Sequence, residues 1–103
     1  MHKVELPGDV RPIQAAGKAL LLVTAPQCAD SAVVLERLRR LGTRNSSLLV
    51  ATADASRVPG LVSALAVQSL PAVVLYRRGQ RISEVTGRAT ARQLQDLVDS
   101  VLW

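Results

Sequence analysis

The sequence predicts an α/β fold, a three-layer α/β/α sandwich around a central mixed β-sheet. Three observations carry this. The stretch "KALLLVTA", residues 18–25, is a continuous apolar run of strand length. Such a run marks a strand buried on both faces, and so a sheet covered by helices on both sides. After Pro26 the period changes to that of an amphipathic helix, and a second strand-like run, "SSLLVATAD", follows it, which together make a βαβ unit. Finally, "AVVLYRR" and "RISEVTG" are strand-like runs joined across "RRGQR", where Gly79 suits a tight turn, so they read as an antiparallel hairpin.

The helices follow from periodicity and punctuation. In the helix after Pro26, Val33, Val34, Leu35, Leu38 and Leu41 fall on one stripe, while Glu36, Arg37, Arg39, Arg40 and Arg44 lie mostly around the other side. Gly42 is expected to mark its end. A short helix is predicted from about Arg57 to Leu65, with Pro59 near its first turn. Thr90 is placed to cap a last helix through Val101, whose apolar stripe is Leu94, Leu97, Val98 and Val101. No repeat, linker or low-complexity segment interrupts this order, and a single domain over residues 1–103 is expected.

Composition narrows the function classes. Hydrophobic residues make up 49% of the chain, but the aromatics are only Tyr76 and Trp103, so the core is aliphatic. One cysteine, Cys28, and one histidine, His2, exclude an internal disulfide and a cysteine-based zinc site, and no metal or cofactor is expected. The lone thiol fits a reducing compartment. The opening "MHKVELPGD" has charges and a proline where a secretion signal carries an apolar core, and "ALLLV" is too short to span a bilayer. A cytoplasmic protein without a membrane partner is the expectation. The net charge of +5 comes from arginines spread along the chain rather than a dense block. A nucleic-acid surface would cluster them and interleave aromatics for stacking, so no nucleic-acid partner is expected.

Several of these features, in this order, resemble the thioredoxin family: "ALLLVTAPQC" running out of a strand to the cysteine, "SLPAVVLYRRGQ" with Pro71 before a strand and Gly79 in the hairpin, then "VTG" and a terminal helix. The resemblance covers the chain from about Lys18. It implies that Cys28 stands at the family's nucleophile and Pro71 at its cis-proline, with Gln27 and Leu70 beside them on the substrate groove. A thiol at a helix N-terminus has unpaired N–H groups and the positive end of the dipole beside it, which stabilise thiolate. The departures bear on mechanism. Ser31 stands where the family has its second cysteine, giving Cys-Ala-Asp-Ser. Asp30 replaces the usual proline, Thr24 and Gln27 replace tryptophans, and Leu22 replaces a buried aspartate.

Two function classes follow. In the first, Cys28 forms mixed disulfides with glutathione or protein thiols by thiol–disulfide exchange, without dithiol reductase activity, because Ser31 cannot attack the mixed disulfide. Ser31 would serve only by hydrogen-bonding the Cys28 sulfur. Asp30 opposes a second negative charge nearby, so the thiol should be less acidic than in a vigorous oxidoreductase. In the second class, the protein is a redox-silent binding or assembly module whose groove beside Pro71 holds an extended protein segment. Other candidates have simpler readings. Arg37, Arg40 and Arg44 form a solvated helix face in preference to an anion- or partner-binding ridge. His2 sits at a frayed end, Asp54 and Asp30 are loop and helix-start residues, and Leu102 and Trp103 pack the last helical turn.

Overall fold

A computed structural model of the protein describes residues 2–4, 11–25, 29–44, 48–57, 60 and 70–100. Its strands are β1 (His2–Val4), β2 (Lys18–Thr24), β3 (Leu48–Asp54), β4 (Ala72–Arg77) and β5 (Gln80–Thr86). Its helices are α1 (Arg11–Ala15), α2 (Ala29–Arg44) and α3 (Ala91–Asp99). The strands form one five-stranded sheet in the order β1-β3-β2-β4-β5. β3 runs parallel to both β1 and β2, while β4 is antiparallel to β2 and β5 to β4, so the sheet is mixed.

The continuous apolar run does what its composition demands. Residues Ala19 to Val23 of β2 are all buried, and their side chains alternate between two cores. Leu20 and Leu22 join Leu48, Val50, Val73 and Leu75 beneath α2 and α3, which contribute Val34, Leu38, Leu41, Leu94, Leu97 and Val98. Ala19, Leu21 and Val23 join Ala51 and Ala53 on the opposite face, where Ile13 of α1 packs. These are the three layers expected from sequence, with β2 at the centre of the sheet.

The hairpin and the last helix form by the predicted devices. Arg78 and Gly79 turn the chain with φ of 51° and 82°, the left-handed pair that matches strand twist in a two-residue hairpin. At α3 the Thr90 side chain accepts from the Gln93 amide at 3.1 Å and the Gln93 side chain accepts from the Thr90 amide at 2.8 Å, a complete capping box. Residues 101–103, including Val101, Leu102 and Trp103, lie outside the described residues, as does the expected helix near Arg57 to Leu65 apart from Arg57 and Gly60.

Two expectations need correction. Gly42 does not end α2, which continues to Arg44. A Cβ at Gly42 would stand 3.1 Å from Val50 Cγ2, so glycine here lets the helix close down on β3. His2 is not in a frayed end: it belongs to β1 and pairs with Ala51 of β3. The backbone ladder of a neighbouring strand suffices to order a segment too short to show a period. α1, which carried no expectation, is a helix of five residues held by burial of Ile13.

Candidate functional site

The site sits at the end of the sheet where β2 and β3 finish and β4 begins. β2 ends at Thr24, opposite Asp54 of β3, and the Ala55 amide donates to the Thr24 carbonyl at 2.8 Å. α2 starts at Ala29, the residue after Cys28 in sequence. Cys28 and Gln27 themselves lie outside the described residues. From the other side, Val23 pairs with Ala72, so Leu70 and Pro71 enter β4 at this same end of the sheet. The Leu70–Pro71 peptide bond is cis. Pro71 is buried, and its carbonyl accepts from the Gly87 amide at 2.8 Å, which ties the start of β4 to the exit of β5. Leu70 is half-buried against the α1-side core.

Ser31 lies in the first turn of α2 and is only 7% exposed. Its Oγ is buried with no hydrogen-bond partner among the described residues. That is unusual, because buried hydroxyls nearly always find a partner. Asp30, beside it, is exposed on the same first turn, where a carboxylate is favourable to the helix dipole. Leu22 is fully buried in the larger core. The described part of this end of the sheet therefore holds no buried carboxylate.

Asp54 has a structural task. Its Oδ1 accepts from the Ser56 amide at 2.8 Å and from the Ser56 hydroxyl at 2.6 Å, closing the turn that leaves β3. Those bonds, the hydroxyl's first, hold its carboxyl below the ordinary value of 3.8, with help from the Arg57 charge. Among the described residues no group of histidine, cysteine and carboxylate side chains is arranged to hold a metal. Nor is any described helix long and apolar enough to cross a membrane.

Of the α2 arginines expected on a solvated face, Arg40 and Arg44 are exposed and only Arg37 departs from it. Arg37 Nη1 donates to the Ala89 carbonyl at 2.6 Å in a partly buried contact between α2 and the segment before α3. Arg92 of α3 lies across a cleft from Arg37, Arg40 and Arg44. Nothing in the local sequence around Arg92 signals this, since the cleft exists only once the helices pack.

A parallel β–α–β unit leading through a cis-proline into an antiparallel hairpin and a final helix defines a thioredoxin-like fold. The Thioredoxin family model matches residues 10–100, and the chain belongs to the thioredoxin family. The fold is similar to that of a point variant of thioredoxin from Halobacterium salinarum NRC-1, at 23% identity over 95% of this chain and 87% of that one, with a TM-score of 0.87. It is also similar to mitochondrial thioredoxin 3 from Saccharomyces cerevisiae in its oxidised form, at 18% identity over 98% and 95% of the two chains and a TM-score of 0.89. Thioredoxin from Trypanosoma brucei brucei matches at 19% identity over 97% and 88%, with a TM-score of 0.85. No curated protein matches the sequence.

Proposed function

We propose that this is a monothiol member of its family, in which Cys28 exchanges with disulfides and a thiol from outside completes the cycle. The Cys28 thiolate attacks a disulfide R–S–S–R′, forming Cys28–S–S–R and releasing R′–S⁻. A glutathione thiolate then attacks the R sulfur, returning Cys28 as thiolate and leaving R–S–S–glutathione. The observation that carries this reading is Ser31. It stands three residues after Cys28 on the first turn of α2, buried, with a stranded hydroxyl. A cysteine fits such an apolar position as a small hydrophobe with a weak S–H donor, whereas serine leaves a strong polar group unmet. On this reading the position is that of a resolving cysteine without its sulfur. Leu22 supports the same conclusion, because a site with no second thiol has no second proton for a buried carboxylate to take.

A second reading is favoured by one observation. Leu70 stands just before β4, half-buried against the α1-side core and beside Pro71, at the position where an extended peptide would lie on this reading. On that reading the protein binds a partner segment and Cys28 is chemically idle. Alkylation kinetics of Cys28 across pH, in the folded chain and in the chain unfolded by urea, separate the two. Monothiol exchange requires faster reaction in the folded chain near neutral pH and a glutathione adduct that Cys28→Ser abolishes. It also requires insulin reduction at background level. Equal rates in the folded and unfolded chain, with partner capture retained in Cys28→Ser, would overturn exchange in favour of peptide binding.

A further inference from the structure

We propose that the cleft between α2 and α3 is a docking site for an acidic segment of a partner protein, separate from the end of the sheet where Leu70 and Pro71 enter β4. The cleft has a volume of about 360 Å³ and is lined by Arg37, Arg40, Arg44 and Arg92 over a floor that includes Leu41 and Leu94. No carboxylate is among its described lining residues. Guanidinium groups around one concavity repel one another, and their shared field attracts an anion. The chain's own surface neutralises little of it. The guanidiniums of Arg44 and Arg92 make no ion pair or hydrogen bond among the described residues. Arg40 meets Glu36 at 3.6 Å with both side chains largely exposed, a contact an incoming carboxylate can replace.

The site is also partly preorganised. Arg37 is fixed by its bond to the Ala89 carbonyl and keeps further N–H donors free of that bond. Planar guanidinium forks match carboxylates two bonds at a time. The aliphatic floor and the arginine stems suit the methylene and methyl groups of a peptide. Among its described lining residues there is no aromatic ring to stack a nucleobase. Charge, floor and lining together favour a segment of glutamates or aspartates interspersed with aliphatic residues.

The test uses the full chain and a fluorescein-labelled peptide of alternating glutamate and leucine, followed by fluorescence anisotropy and by amide NMR shifts. The expected result is saturable binding that shifts resonances of the C-terminal half of α2 and the first turns of α3. It should weaken steeply as ionic strength rises from about 0.05 M to about 0.5 M. Arg44→Glu with Arg92→Glu should lower affinity about tenfold or more. Arg11→Glu with Arg39→Glu, an equal change of net charge at exposed positions outside the cleft, should leave it within about twofold. Circular dichroism and thermal unfolding of each variant confirm that only surface charge has changed. Equal loss in both double variants would overturn the proposal as a diffuse charge effect. So would shifts confined to residues around Leu70, or tighter binding of tripolyphosphate or single-stranded DNA than of the peptide.

Discussion

Leu22→Asp would restore to this chain the carboxylate that the thioredoxin resemblance expects beneath the cysteine, and the structure says what that would cost. Leu22 has no exposure, its neighbours across the sheet are Thr52 and Val73, and its side chain lies in the cluster of Val34, Leu38 and Leu75. Loss of the leucine side chain from such a site removes about 2–5 kcal/mol. The introduced carboxyl is disfavoured when charged, so burial raises its folded pKa from about 3.9 to roughly 7. A raised folded pKa makes the penalty grow with pH: it is absent below about pH 4 and reaches about 4 kcal/mol once pH passes the folded value. The total near neutral pH is about 6–9 kcal/mol, comparable to the whole stability of an ordinary domain of about 5–15 kcal/mol. Urea unfolding at pH 4.5 and pH 7.5, with Leu22→Asn as a control that does not titrate, reads both parts. A total loss under about 2 kcal/mol, or a pH response no different from Leu22→Asn, would show that Leu22 is not sealed in the core and that the reasoning fails.

Other changes probe the site and its surroundings. Ser31→Ala removes a buried hydroxyl without a described partner and should raise stability by about 1 kcal/mol in urea unfolding; a loss of similar size would show that the hydroxyl is hydrogen-bonded after all. Ser56→Ala removes the hydroxyl bond to Asp54, so NMR titration should show that carboxyl moving up toward 3.8. Because the folded pKa of Asp54 is depressed, its favourable contribution is present above the unfolded value and fades as pH falls through the folded one. The acid limb of the wild-type stability profile should therefore lose part of its slope in Ser56→Ala.

What could be read from the sequence was whatever one element decides alone. The buried run of β2, the apolar stripe of α2, the Gly79 turn and the Thr90 cap each rest on local chemistry, and each appears as expected. β1 and α1 were not legible because three and five residues hold no full period, and pairing with β3 and burial of Ile13 order them from outside. Gly42 was misread for a related reason: the atom that would crowd a side chain there, Val50 Cγ2, belongs to another strand. At the site, Ser31, Leu22, Leu70 and Pro71 were found through family resemblance rather than periodicity. The surroundings of Ser31 and the placement of Arg92 across a cleft from the α2 arginines depend on packing that no single segment encodes.

The hairpin tip has a practical implication. The turn at Arg78–Gly79 lies at the end of the sheet away from the site, since Lys18 pairs with Arg77 while Val23 pairs with Ala72. Tips of this kind are the usual choice for inserting tags, reporters or new termini. Here the Arg78 amide donates to the Gly17 carbonyl at 3.1 Å, and a Cβ at Gly79 would come within 3.1 Å of the Gln14 carbonyl oxygen. The tip is thus seated on the α1–β2 junction, with backbone against backbone and no slack for a guest sequence. An insertion between Arg78 and Gly79 would disturb this seat against Gln14 and Gly17, next to the core in which Ile13 packs. Anyone re-engineering this scaffold should leave that tip alone.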